Sequence, residues 1–180
     1  TECGAPDFLV TKGAFQVGAL KAFDENRIIP SYIVGVSVGA INAAAFAAGR
    51  INSFWKIYQE IAKKPRKYIY GFNFHTLLRA FFWSKSILVN YPMKKQLKKQ
   101  LGFQEFISSG IKVDIITTDF QSGEEVIFSN KNPEHQNPEL LTDAILASCA
   151  IPMIFPPFIY KNHQLFDGGV LEKAPLTFAI

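Results

Sequence analysis

The sequence predicts an α/β fold, a central and mostly parallel sheet flanked by helices, and three observations carry that prediction. Two short apolar runs each lead directly into a helix-like stretch, over residues 7–26 and 32–49. A strand that feeds a helix reaches a parallel neighbour by crossing back over the sheet, and such crossovers are right-handed. After Gly39 the chain is almost all alanine, with Ile41 and Phe46 as its large apolar residues. A helix that small and apolar is predicted to lie buried against a sheet. Downstream, two pairs of β-branched or aromatic runs flank short polar turns, which adds hairpins.

In chain order, residues 7–10 read as a short apolar strand and 13–26 as a helix, with Ala14, Val17, Gly18 and Phe23 at helical spacing beside Lys21 and Asp24. Tyr32-Ile33-Val34 reads as the second strand and runs into Gly35-Val36-Ser37-Val38-Gly39. Residues 53–102 are helical and mixed in character, broken by Pro65, Gly71 and Pro92, and are predicted to form a cap or lateral insertion. The β-branched run 111–118 predicts a buried strand, Gln121-Ser122-Gly123-Glu124 a turn, and 125–129 the second arm of a hairpin. Asn137 before Pro138 and Glu139 supplies an N-cap, a first-turn proline and a first-turn acid, so a helix is predicted over 138–148, stopped before Pro152. Residues 158–160 and 164–166 flank Lys161-Asn162-His163 as a further hairpin that leads into Asp167-Gly168-Gly169. No repeat, low-complexity tract or linker divides the chain, which reads as a single domain over 1–180.

A chain of 180 residues with 48% hydrophobic side chains can bury one core, which excludes disorder and collagen-like structure. Nineteen basic against 15 acidic residues leave a formal charge of +4, below the density of a dedicated nucleic-acid binder, so no nucleic-acid partner is expected. Cys3 and Cys149 are too few for a disulfide framework or a four-ligand zinc site. No apolar run approaches the roughly 20 residues that span a bilayer, and the start of the chain lacks a basic-then-apolar signal pattern. A cytoplasmic or membrane-peripheral chain is expected. The stretch 63–101 combines Lys63, Lys64, Arg66 and Lys67 with Tyr68 and Tyr70, then Phe81-Phe82-Trp83, then Lys94, Lys95, Lys98 and Lys99. Cations beside aromatic rings suit an anionic lipid surface. The plainer alternative is a set of solvated helix faces with the aromatics in the core.

The sharpest chemical signal is Gly35-Val36-Ser37-Val38-Gly39, at the junction of an apolar strand and a small-residue helix. Glycines permit a tight turn that lifts the serine side chain clear at a helix N-terminus, where the helix dipole favours negative charge. The plainer reading of the pentapeptide is a strand-to-helix turn, and the flanking strand and helix favour the nucleophile. A serine nucleophile needs a base, and none of His75, His135 and His163 follows the late acid Asp167, so each reads as a surface histidine. Asp167 sits at a strand end before Gly168 and Gly169, where a sharp turn can bring its carboxylate against another loop. By itself that triplet is an ordinary Asp-Gly turn. No G-x-G-x-x-G or Walker pattern follows a strand, which disfavours nucleotide binding.

Taken together, Gly35-Val36-Ser37-Val38-Gly39, Asp167-Gly168-Gly169, and Ala147-Ser148-Cys149-Ala150-Ile151-Pro152 running to Phe155-Pro156-Pro157 resemble the patatin-like phospholipase family in order and spacing. Lys12-Gly13-Ala14-Phe15 with Gly18 and Leu20 is similar to the end of that family's oxyanion motif, and Thr117-Thr118-Asp119 before Gly123-Glu124 to its central strand and hairpin. The resemblance covers nearly the whole chain. It implies a lipid acyl hydrolase with a Ser-Asp dyad, in which Ser37 attacks an ester carbonyl, Asp167 accepts its proton, and amides near Lys12 and Gly13 form part of the oxyanion hole. Neither a metal nor a cofactor is implied. Lys12 would orient the loop or meet a phosphate head group, or else be a solvated lysine.

Two departures stand out. The family pattern has three glycines, any residue, a basic residue and a glycine, whereas here Thr11-Lys12-Gly13 directly follow Val10. Either a glycine loop belongs between Val10 and Thr11, or the loop is deleted and a catalytically silent lipid-binding or interaction module is the alternative. Glu172-Lys173-Ala174 precede Pro175 where family members often carry asparagine. The chain ends at Ile180 inside a pattern expected to continue, so the catalytic domain is expected to be incomplete at its C-terminus.

Overall fold

The computed structural model describes residues 5–63, 91–152 and 155–170. Helix α1 (Ala5–Glu25) is followed by β1 (Tyr32–Val36), α2 (Val38–Ala47) and α3 (Ile51–Lys63). Then come α4 (Tyr91–Gln100), α5 (Phe103–Ser108), β2 (Lys112–Asp119), β3 (Glu125–Ser129), α6 (Pro138–Ser148), β4 (Phe158–Tyr160) and β5 (His163–Asp167). Short 3₁₀ turns cover Pro133–His135 and Gly168–Val170.

The α/β class is as expected, and the described sheet is mixed. β1 pairs with β2 in parallel, while β3 and β5 pair with β2, and β4 with β5, all antiparallel. Antiparallel ladders dominate because both downstream hairpins join the same sheet. The first predicted strand is not formed: residues 7–10 lie inside α1, which runs unbroken through Val10, Thr11, Lys12 and Gly13. A four-residue apolar run cannot by itself be told from a helix segment. Nothing between Asp7 and Lys12 is a glycine or proline that would stop a helix, and Pro6 falls in the first turn, where proline is tolerated. Val10 and Thr11 are consecutive helical residues, with no loop between them.

β2 organises the sheet. Its residues 112–116 pair with β1, 114–118 with β3, and 117–119 with β5. A strand has two edges, and β3 overlaps both other ladders, so β1 and β5 share the opposite edge, end to end. One runs with β2 and the other against it. Their C-termini therefore meet, with Val36 opposite Ile116 and Asp167 opposite Thr117.

One sheet face carries Val113, Ile115 and Leu165 into the main core, where they meet Ala40, Ala43, Ala44 and Phe46 of α2 and Leu141, Ala144 and Ile145 of α6. The alanines let α2 lie close enough that a Cβ built on Gly35 would sit 2.5 Å from the Ala40 Cα. The described ends of the predicted cap, α3 and α4, join this same core through Phe54, Tyr58 and Leu97. Residues 64–90, with the aromatic cluster and His75, lie outside the described residues. α6 starts as its sequence predicts: Asn137 Oδ1 accepts the N–H groups of Glu139 and Leu140 at 2.8 and 3.2 Å.

Candidate active site

The meeting of β1 and β5 brings two sequence-predicted residues into contact. Ser37 is the residue between β1 and α2, with φ 55° and ψ −132°. A non-glycine residue there is strained, and the surrounding structure must hold it. Three features do so: Gly35 yields its side-chain space to α2, Ala40 N–H donates to the Ser37 carbonyl at 2.9 Å, and Ser37 N–H donates to Ser148 Oγ at 2.8 Å. Because the Ser37 side chain makes no capping bond, its hydroxyl is available elsewhere. It donates to Asp167 Oδ2 at 2.7 Å.

Asp167 is 6% exposed at the end of β5. Its other oxygen, Oδ1, accepts Gly169 N–H at 2.8 Å, which fixes the rotation of the carboxylate. Burial pushes the Asp167 carboxyl above its ordinary value, and the bonds from Ser37 and Gly169 hold it partway back. A built Cβ on Gly168 would sit 2.6 Å from the Ile116 carbonyl oxygen, so the turn after Asp167 packs against β2 too closely for any side chain. Burial, and after it the charge of Asp167, push the Cys149 thiol well above its ordinary value.

The two described histidines, His135 and His163, are engaged elsewhere. His163 Nδ1 bonds Asp119 Oδ2 at 2.9 Å, at the far end of β5, about 13 Å of strand from Asp167. His135 Nδ1 accepts Ser129 N–H at 3.1 Å. Neither has a hydrogen bond with Ser37 or Asp167.

The amides at Lys12 and Gly13 fall in the middle of α1 rather than in a loop facing Ser37. An N–H in a helix interior is committed to the carbonyl four residues back. Neither residue therefore lies in a loop, because the helix is continuous across Val10 and Thr11. Gly13 instead serves packing: a built Cβ would lie 2.6 Å from Tyr58 Oη, and its carbonyl accepts Asn42 Nδ2 at 3.2 Å. Among the described residues, the N–H groups of Val38 and Gly39 lie in the first turn of α2, next to Ser37, and have no intrahelical acceptor. Gly39 is half-buried, and a Cβ there would meet only the Gln16 amide at 3.7 Å.

Sequence reasoning included Ser148 in a motif without a role for it. The structure shows it fully buried, bonded both to Ser37 N–H and to the Ile116 carbonyl. The available signal was a serine at the end of an apolar helix, just before the Cys149-Ala150 segment that packs on Asp167.

Chemically, the arrangement offers a hydroxyl whose proton already points at a partly desolvated carboxylate, with two first-turn backbone donors and the positive end of a ten-residue helix beside it. Comparison with known proteins adds the family. The family model for patatin-like phospholipase matches residues 10–180. Lysophospholipase nte1 of Aspergillus terreus is 23% identical over 177 residues, covering 90% of this chain and 10% of that protein. NTE family proteins of Mycobacterium bovis and Mycobacterium tuberculosis are each 26% identical over 169 residues, covering 92% of this chain and 42% of theirs. The chain thus spans less than half the length of these curated relatives. With nearly its whole length matched by the family model, the chain belongs to the patatin-like phospholipase family, a family of lipid hydrolases.

Proposed function

We propose that the chain is a lipid acyl hydrolase that cleaves carboxylic esters of phospholipids or related lipids, with Ser37 as nucleophile and Asp167 as general base. The observation that carries this reading is the 2.7 Å bond from Ser37 Oγ to Asp167 Oδ2, with no histidine between them. A free aspartate, with a pKa of about 3.9, is a weak base toward an alcohol, so proton transfer must accompany attack. The raised carboxyl of Asp167 moves in the helpful direction. As Ser37 Oγ bonds to the carbonyl carbon, its proton passes to Asp167 Oδ2 and the carbonyl oxygen becomes an oxyanion. In this reading the N–H groups of Val38 and Gly39 take that charge, each such donor contributing about 2.7–4 kcal/mol in comparable sites. Collapse returns the proton from Asp167 to the departing alcohol. Water, deprotonated by the same carboxylate, then releases the acid from Ser37.

A lipid surface is the partner this substrate implies. The competing reading, a catalytically silent lipid-binding module, is favoured by one observation: α1 carries no glycine loop at residues 10–13. Hydrolysis separates the two. The full-length protein should release fatty acid from a lysophospholipid, and Ser37→Ala should abolish release. Asp167→Asn should lower kcat by about 10²–10⁴-fold, while His135→Ala and His163→Ala leave it nearly unchanged. Absence of ester hydrolysis by the wild-type protein, across lysophospholipid and soluble short-chain esters, would establish the silent module.

A further inference from the structure

The C-terminal end of α6 touches both members of the site. Ser148 is its last residue and is fully buried. Its Oγ accepts Ser37 N–H at 2.8 Å and donates its own proton to the Ile116 carbonyl at 2.6 Å. Two residues on, the Ala150 carbonyl accepts Asp167 N–H at 3.0 Å. These contacts span the junction of the sheet, since Ile116 pairs with Val36 immediately before the nucleophile and Thr117 pairs with Asp167. A hydroxyl has one proton to give. With that proton committed to Ile116, a lone pair of Ser148 faces Ser37, so the direction of both bonds is fixed.

We propose that Ser148 is a positioning residue that holds Ser37 in its strained backbone conformation and so sets its Oγ against Asp167. The proposal rests on the reading of Ser37 and Asp167 as nucleophile and base. At φ 55° the Ser37 backbone is uphill of the ordinary regions, and relaxation would rotate its N–H away from Ser148 and carry Oγ off Asp167 Oδ2. Ser148 opposes that rotation from the buried side, where water cannot substitute for the lost bond. Ala150 fixes the other partner, so the end of one helix sets the separation of two groups that approach from different strands. Small misplacements of reacting groups lower rates steeply.

A role confined to fold stability is separated from this by a control on the same helix. Thr142 is 1% exposed, and its hydroxyl donates to the Pro138 carbonyl at 2.6 Å, about 9 Å along the helix from Ser148. The full-length Ser148→Ala, Ser148→Cys and Thr142→Val variants are compared by Tm, by kcat and KM on a soluble short-chain ester, and by the rate of fluorophosphonate inactivation. Ser148→Ala and Thr142→Val should both lower Tm. Only Ser148→Ala should lose kcat, by about 10–100-fold, with KM nearly unchanged and inactivation slowed in parallel. Ser148→Cys, whose thiol is a weaker donor and acceptor, should fall between alanine and wild type; it carries the test if the alanine variant does not fold. Retention of wild-type kcat in the folded position-148 variants overturns the proposal, as does an equal kcat loss in Thr142→Val. Ser37→Ala as active as wild type overturns the dyad reading and this proposal with it. An inactive Ser37→Ala beside a fully active Ser148→Ala overturns the positioning role alone.

Discussion

Asp167 is held where its charge is disfavoured, and that has a thermodynamic consequence separate from its proposed role as a base. Burial raises its carboxyl above the unfolded value of 3.8, so the folded state retains the proton to higher pH than the unfolded chain. Stability at this position is greatest below pH 3.8, declines as pH rises towards the native pKa, and stays reduced at neutral pH. Asp167→Asn removes the titration and keeps an acceptor for Gly169 N–H. It should therefore melt at higher temperature than wild type at pH 7 while losing hydrolysis, and the gap in Tm should shrink as the pH is lowered below 4. An Asp167→Asn protein less stable than wild type at pH 7 would show that the cost of burying the carboxylate is offset by contacts that asparagine cannot make. Asp119 behaves oppositely. Burial pushes it up, but bonds from Ser122, His163 and the N–H groups of Gln121 and Ser122 outweigh this and hold it at about 2. Its contribution is present above the unfolded 3.8 and is lost as pH falls through about 2.

At the scale of elements, the glycines of each motif have different physical duties. Gly35→Ala would place a Cβ 2.5 Å from the Ala40 Cα and 2.9 Å from its nitrogen, both backbone atoms of α2 that cannot step aside. Denaturant unfolding should show a loss of at least about 1–3 kcal/mol. Gly39→Ala meets only the Gln16 amide at 3.7 Å, so its stability should stay within about 0.5 kcal/mol of wild type. Equal losses at the two positions would contradict the packing described for α2. The strand, turn and helix around Ser37, the capped α6 and both hairpins were legible because turn residues and apolar periodicity act locally. The end-to-end approach of β1 and β5 was not, because it depends on a register along β2 that no local pattern encodes. That Lys12 and Gly13 lie within a helix was hidden for a related reason: a motif fragment without its glycines has nothing to halt a helix, and α1 runs through it. Motif order singled out Ser37 and Asp167, which the fold brings within hydrogen-bond distance, whereas the bond from Ser37 N–H to Ser148 appears only when the end of α6 is seen to reach the residue after β1.

At the scale of the whole molecule, the candidate site lies at one sheet junction and the cations of α4 at the surface. Lys94 and Lys98 are turned to α6, where they pair with Asp143 and Glu139, leaving Lys95 and Lys99 exposed on the helix. If this surface meets an anionic leaflet, the exposed pair contributes on the order of 1 kcal/mol per lysine. Lys95→Glu/Lys99→Glu should then weaken co-sedimentation with anionic vesicles at low salt by about tenfold or more, with hydrolysis of a soluble ester unchanged. Equal sedimentation of variant and wild type would return both lysines to an ordinary solvated face. The central claim, that Ser37 is a nucleophile served by Asp167, is tested most directly by intact-mass analysis after treatment with a fluorophosphonate. The account predicts a single adduct localised to Ser37, absent in Ser37→Ala and formed far more slowly in Asp167→Asn. An adduct that persists in folded Ser37→Ala, or forms at the wild-type rate in Asp167→Asn, would contradict it.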